Sequence, residues 1–281
     1  MPPDEGAMAC GEFGPGRLPE PPEVAARICA MLGVGYDASL SQGRAPTTTA
    51  PLPTLPPEGE GGNSLDDQPS FADDNHRPLY GRRILITAGP THEPIDPVRY
   101  IANRSSGRQG FAIAAAAADL GAEVTLIAGP VTLPTPAGVV RHDVESAREM
   151  LSAVEAALAT NPPLDCAIMV AAVADWRAAD SAPQKMKKDG GALPPLSLAE
   201  NPDILATVAK SAHRPRLLIG FAAETEKVVE HAQAKLAKKG CDWIVANDVS
   251  GDVMGGEANA VHIVKAEKWG AGVDSWPTMP K

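Results

Sequence analysis

Residues 80–281 alternate between two kinds of apolar pattern. Short unbroken apolar runs at 83–88, 123–128, 165–171, 216–221 and 242–246 predict strands, and 260–265 a final one. Between them, apolar residues recur at helical spacing over 107–120, 145–159, 202–211 and 224–239. Asn201 stands where the third of these helices needs a cap, with Pro202 at its first position. The first five strands alternate little between apolar and polar. Parallel strands have that character, because helices cover both faces of their sheet. The expected architecture is α/β: a doubly wound, three-layer α/β/α Rossmann-like domain with a mainly parallel sheet.

The first 79 residues read differently. Residues 1–33 open with Gly and Pro and then support one short helix at 21–32, with Pro22 in its first turn and Gly33 beyond its end. Residues 34–79 are a Pro/Gly/Asp-rich stretch without periodicity, in which Asp66, Asp67, Asp73 and Asp74 repel one another. Such a segment buries too little apolar surface to offset the entropy lost on ordering, so a disordered linker is expected.

Composition changes the picture at three points. Hydrophobic residues are 44% of the 281 but aromatics only 4%, which suits a layered core of small side chains. The net charge of −10 is uneven, since 12 of 35 acidic but only 4 of 25 basic residues fall within 1–80. The remaining domain is nearly balanced and has no basic footprint for nucleic acid. An anionic substrate must therefore be met by local Lys, Arg and backbone N–H groups. Cys10, Cys29, Cys166 and Cys241 include no C-x-x-C pair. That argues against a zinc or disulfide framework and for a reduced, cytoplasmic compartment. The opening Met1-Pro2-Pro3-Asp4-Glu5 lacks the features of a secretory signal, and the apolar run at 111–118 is too short to span a membrane, so no membrane partner is expected.

In an open parallel sheet, ligands bind beyond the carboxyl ends of the strands. After the first strand comes a long loop from Gly89 that reaches Asn103-Arg104-Ser105-Ser106-Gly107 at the start of a helix. Ser105, Ser106 and Gly107 offer hydroxyls, bare N–H groups and a positive dipole end to an anion; the same pattern also makes an ordinary helix cap. The loop is not G-x-G-x-x-G, so the usual dinucleotide fingerprint is missing. After the third strand, Ala171-Ala172-Val173-Ala174-Asp175 puts a carboxylate at the edge, either for a ribose or metal or as a cap. Ten residues on, Lys185-Met186-Lys187-Lys188 is either a mobile phosphate-closing segment or a solvated charge run. Phe221, after the fourth strand, can stack on a base or pack in the core. Lys235 and Lys239 share one helix face, toward a triphosphate or toward solvent.

In order and register, these segments resemble phosphopantothenate–cysteine ligase, the C-terminal half of the bifunctional phosphopantothenoylcysteine decarboxylase/phosphopantothenate–cysteine ligase. The resemblance is carried by Ile86-Thr87-Ala88-Gly89-Pro90-Thr91-His92-Glu93-Pro94, Asn103-Arg104-Ser105-Ser106-Gly107, Ala171-Ala172-Val173-Ala174-Asp175-Trp176-Arg177, Lys185-Met186-Lys187-Lys188, Asn201-Pro202-Asp203-Ile204, Gly220-Phe221-Ala222-Ala223-Glu224-Thr225 and Ala246-Asn247-Asp248-Val249, across essentially all of 80–281. Residues 8–18, around Cys10, resemble a substrate-clamp segment near the end of the decarboxylase. That makes 1–33 a remnant of the flavoprotein half and 34–79 its linker. The resemblance assigns Cys10 to the decarboxylase proton-donor position, vestigial here, since the flavin sheet and histidine base lie upstream in that family. FMN is accordingly expected only with an intact decarboxylase half. Similar proteins also continue with a helix past Lys281, so both ends look clipped.

The resemblance implies a two-step reaction. The carboxylate of 4′-phosphopantothenate attacks the α-phosphate of CTP, and the amine of L-cysteine then displaces CMP. It assigns Asn103 to the acyl oxygen and the second step, Lys185 to the nucleotide phosphates, and Asp175, Phe221, Lys235 and Lys239 to the nucleotide site. Gly89, Ser105, Ser106, Gly107, Ala171 and Ala172 match phosphate- and substrate-binding positions. Mg2+ should accompany the triphosphate, and a homodimer is implied. Pro90, where many relatives have glycine, offers no N–H to a phosphate. Two other readings stay open: a nicotinamide-dependent oxidoreductase of the same fold class, and a truncated subunit that dimerises without turning over.

Overall fold

The computed structural model of this chain describes residues 5–7, 13–15, 77–187, 195–248 and 258–280. Its main sheet has eight strands. Arg83–Ala88 (β1) is followed by two three-residue strands, His92–Pro94 (β2) and Tyr100–Ala102 (β3), and then by helix Arg108–Asp119 (α1). Glu123–Ala128 (β4), Val139–Asp143 (β5), helix Ala147–Leu158 (α2) and Cys166–Met169 (β6) come next. Trp176–Ala178 (β7) and Leu198–Glu200 (β8) precede helix Ile204–Lys210 (α3), Leu217–Glu224 (β9) and helix Val228–Lys239 (α4). Trp243–Asp248 (β10), Ala258–Lys265 (β11) and Gly272–Pro280 (β12) complete it. In space the sheet runs β12-β11-β10-β9-β6-β1-β4-β5. The six strands from β10 to β5 are mutually parallel, and β11 and β12 are added antiparallel at one edge.

The alternation of side chains along β1 explains the layers. Ile84, Ile86 and Ala88 pack with Phe111, Ala114 and Ala117 of α1 on one face. Leu85 belongs to the other face, with Met150 and Val154 of α2, Leu205 and Val208 of α3, and Ala232 of α4. Each such Leu or Ile, fully buried, contributes about 1.5–3 kcal/mol. The alanine-rich face of α1 lets it lie close on the sheet. At Gly110 a Cβ would stand 2.5 Å from that of Ala88, so a side chain there would force the helix outward.

Several boundaries differ from the sequence reading, each for a local reason. Asn201 is not the cap of α3: its Nδ2 donates to the Ala174 carbonyl at 2.8 Å, and Asp203 caps the helix by accepting from the Ala206 N–H at 3.1 Å. The segment from Glu224 does not begin α4, because β9 runs on to Glu224 in register with Asp248 of β10. Leu79, assigned to the linker, is buried against the α1 face, and its N–H donates to the Leu120 carbonyl at 2.9 Å. The helix expected at 21–32, Cys10 and residues 34–76 lie outside the described residues. Near the N-terminus, Glu5–Ala7 pairs antiparallel with Phe13–Pro15.

At the amino ends of the strands the polar groups are structural. Asp242 is fully buried and accepts from the Leu218 N–H at 2.7 Å and from Arg214 at 3.0 Å, and it pairs with Lys268. Burial alone would raise its pKa, but Lys268, the Leu218 N–H and Arg214 outweigh that and hold it below the ordinary carboxylate value. Asp165 accepts from Arg82 and from the Arg83 N–H. No helix among the described residues is long and apolar enough to cross a membrane.

Candidate functional site

The carboxyl ends of β1 and β6 are stitched together by the loops that leave them. Thr87 Oγ1 accepts from the Ala171 N–H at 3.3 Å, the Gly89 carbonyl accepts from the Ala172 N–H at 2.9 Å, and buried Thr91 Oγ1 accepts from the Ala174 N–H at 3.0 Å. Pro90 bridges to Ala172 as an extra parallel pair. Ala171 and Ala172 therefore spend their N–H groups on the scaffold.

Above this seam lies the start of α1. Gly107 caps it with φ +75°, a left-handed conformation that glycine takes without strain. It also lies tight on the first loop: a Cβ there would sit 3.4 Å from Gly89 Cα. Ser105 Oγ accepts from the Gly107 N–H at 3.3 Å, and the first turn carries no acidic residue to oppose an anion. Ser105 and Ser106 are exposed. So is Asn103, whose Nδ2 donates to the Val173 carbonyl at 2.9 Å, joining the two loops across the crevice. At the far side, Asn247 at the end of β10 donates to Gln109 in the first turn of α1 at 3.3 Å.

A second group forms where β9 ends. Lys235 Nζ donates to the Phe221 carbonyl at 3.0 Å, and Lys239 pairs with Asp203 at the start of α3. Burial pushes the Lys235 pKa below the ordinary lysine value, partly offset by Glu224. Burial tends to raise Asp203, but Lys239 and the Ala206 N–H prevail and lower it. Phe221 is half-buried and packs against the α1-side core. Asp175 is exposed, and its carbonyl accepts from the Asn201 N–H at 2.9 Å, which ties the Asn201-Pro202-Asp203 turn to the β6 loop. Asn201 Oδ1 is buried and has no partner among the described residues. The sequence offers Asn201 as a helix cap; in the structure its amide and its N–H instead join this turn to the β6 loop.

Lys185 is exposed, and among the described residues no contact ties its ammonium to either group. Its segment is held from another side. The loop between β2 and β3 buries Asp96, which accepts from the N–H groups of Val98 and Arg99 at 2.9 Å each, from Arg99 Nε at 3.0 Å and from the Met186 N–H at 3.2 Å. The Arg99 guanidinium beside it holds the Asp96 carboxyl well below the usual carboxylate range. Sequence reasoning assigned no role to this pair, because its partner lies 90 residues away. Cys166 and Cys241 are free and buried. Burial raises both thiols, that of Cys241 to about 11. Cys10 lies outside the described residues.

The parallel sheet, with helices on both faces and its crossing loops gathered at the carboxyl ends of β1, β6 and β9, puts this chain in the doubly wound, Rossmann-like class of α/β proteins. Within that class the chain belongs to the DNA/pantothenate metabolism flavoprotein C-terminal domain family, whose pattern matches residues 79–281. It is 42% identical to the coenzyme A biosynthesis bifunctional protein CoaBC of Escherichia coli (strain K12) over 266 residues, covering 93% of this chain and 54% of that protein. The chain thus spans about half the length of the curated relatives it matches. Among solved structures, the C-terminal domain of coenzyme A biosynthesis bifunctional protein CoaBC is 41% identical with a TM-score of 0.58, covering 71% of this chain and 87% of that one. The DNA/pantothenate metabolism flavoprotein from Streptococcus pneumoniae, 21% identical with a TM-score of 0.56 over 70% of this chain and 93% of its own, shares the fold.

Proposed function

We propose that this chain acts in coenzyme A biosynthesis as a phosphopantothenate–cysteine ligase, joining 4′-phosphopantothenate to L-cysteine with CTP. The observation that carries the reading is the 41% identity over 87% of the C-terminal domain of the bifunctional protein CoaBC. In the first step a carboxylate oxygen attacks the α-phosphorus, the bond to the β-phosphate oxygen breaks, and pyrophosphate leaves. In the second the amine attacks the acyl carbon, CMP departs with the electron pair of the acyl–oxygen bond, and the amine proton passes to solvent. Two anions must approach each other in the first step, so positive groups have to screen them.

The site offers such groups at separate places. The start of α1, with Gly89, Ser105, Ser106 and Gly107, suits the phosphate of 4′-phosphopantothenate. Lys235 and Lys239 suit the triphosphate, which would compete with Phe221 and Asp203 for them, while Phe221 and Asp175 suit base and ribose. Ala171 and Ala172 form the rim between. One N–H of the Asn103 amide is spent on Val173, and the other is left for the acyl oxygen. Lys185 supplies charge at the phosphates. Magnesium accompanies the triphosphate as part of the substrate, Mg·CTP. A homodimer is supported by the apolar side chains exposed on the adjoining ladders, Tyr100 on one and Trp176 and Leu198 on the other, with Val98 exposed in the loop before β3.

The test is pyrophosphate release with 4′-phosphopantothenate, magnesium and either CTP or ATP, with and without cysteine. CTP-dependent release, with CMP formed only when cysteine is present, is the expected result. No release from a folded sample with either nucleotide overturns the proposal.

A further inference from the structure

The contacts of Met186 carry an inference about the residue before it. Met186 has both backbone polar groups held by one ion pair: its N–H donates to Asp96 Oδ2 at 3.2 Å, and its carbonyl accepts from Arg99 Nη2 at 3.2 Å. Four residues earlier, the Ala182 N–H donates to the Ile95 carbonyl at 2.9 Å. The stretch from 182 to 186 is therefore fastened at both ends to the short loop between β2 and β3. Every contact is made through its backbone, whatever its side chains. That loop is itself rigid at the point of attachment. The Asp96 side chain is wholly buried, whereas that of Arg99 is half exposed. Asp96 also closes its own turn on the Val98 and Arg99 N–H groups. Charge-assisted bonds of this kind are the stronger sort, and the planar guanidinium can serve a carboxylate and a carbonyl at once.

Resting on the ligase reading above, we propose that Asp96 and Arg99 are positioning residues for Lys185, fixing its backbone so that its ammonium is delivered to the phosphates in the first step. A lysine on an untethered segment carries the same charge but samples a larger volume. Held one residue from a fixed backbone point, its ammonium keeps to the reach of one side chain. Preorganisation of that kind accelerates the step that uses the charge and leaves the later attack by cysteine alone. Neither residue touches the reacting atoms.

The experiment compares wild type, Asp96→Asn, Arg99→Gln, Lys185→Gln and the double variant Asp96→Asn/Lys185→Gln in the full chain. Hydrogen exchange of the 182–187 peptide and trypsin cleavage after Lys185 and Lys187 read the tether directly, without activity. Both should quicken about tenfold in Asp96→Asn and in Arg99→Gln, as expected when a local opening loses a charge-assisted bond. Pyrophosphate formation without cysteine should slow about tenfold in each tether variant, with the KM for cysteine unchanged. The double variant should be no slower than Lys185→Gln alone, because the tether acts through that lysine. Arg99→Gln keeps the Asp96 turn and guards against a misfolded Asp96→Asn. Unchanged exchange and cleavage in a folded variant overturn the tether. Losses that multiply in the double variant overturn its action through Lys185. A wild type with normal exchange protection but no pyrophosphate release with CTP overturns the ligase reading and the positioning role together, while the tether itself stands.

Discussion

Replacing Gly129 by alanine tests how tightly the loops under the site are packed. Gly129 follows β4 and has an ordinary backbone, so the added methyl meets no conformational bar. The bar is contact: the new Cβ would lie 1.7 Å from the Pro90 carbonyl oxygen and 2.8 Å from its carbon, where real Cβ atoms keep at least 3.0 Å. The two segments must part by more than about 1 Å, the sort of overpacking that costs about 3 kcal/mol at the upper end of its range. Pro90 cannot yield alone, since it is buried and bridged to Ala172. Parting also strains the Gly129 N–H bond to the Ala88 carbonyl, adding about 1 kcal/mol. For a domain of this size the sum lowers Tm by roughly 10 °C. The control is Gly81→Ala, where φ is +72° but nothing lies within 4 Å. Only conformational strain acts there, about 1 kcal/mol. Urea unfolding of both variants, followed by fluorescence, gives the comparison. If Gly129→Ala proves no less stable than Gly81→Ala, the packing argument is wrong.

Asn103→Asp removes the donor to Val173 and, on the proposed ligase reading, the donor offered to the acyl oxygen; turnover should fall at least about 100-fold, with acyl cytidylate accumulating in quenched samples. An unchanged rate would take Asn103 out of the chemistry. Asp242→Ala should cost about 3 kcal/mol in urea unfolding, because it strands Arg214 and the Leu218 N–H around an emptied buried site. The lowered pKa values of Asp96, Asp203 and Asp242 set the sign of the acid response. Their stabilisation is complete above the unfolded carboxylate value, about 3.9, and is lost as pH falls below it through the folded values. The urea midpoint should therefore hold steady from neutral pH to about 5 and drop below 4; a midpoint that rises on acidification would contradict this. Cys166 and Cys241 should resist iodoacetamide at pH 8 in the native state and react in urea, as peptide mapping would show.

The parts of the fold legible in the sequence are those whose signal is local and long. Five apolar runs and four helical periodicities correspond to β1, β4, β6, β9, β10 and the four helices, because burial on both faces writes itself into every residue of such strands. Strand β5 escaped notice because Val139-Val140-Arg141-His142-Asp143 lies at the edge of the sheet and is mostly polar. The three-residue ladders β2–β3 and β7–β8 are shorter than any periodicity. In β12, Pro277 and Pro280 speak against a strand, and only its place at the sheet's edge admits them. The same division holds for the site. Residues just beyond strand ends could be weighed from their position, but the Asp96–Met186 contact joins two loops with no pattern of their own. The resemblance supplied roles for Asn103, Lys185 and the two lysines of α4 that spacing alone left open.

The position of β1 has a consequence for synthesis. It is the first long strand of the domain to be made, yet it sits in the middle of the sheet, with β4 on one side and β6 on the other. Thr87 waits for Met169, 82 residues downstream, before that second side is covered. At about 5–20 residues per second the ribosome takes roughly 4–16 s to supply them. Throughout that interval an Ile-Leu-Ile-Thr run presents one open, apolar, β-prone edge to whatever else is in the cell. The strand that ends paired on both sides thus begins as an unpaired apolar stretch of the nascent chain, and its second side stays open until β6 arrives.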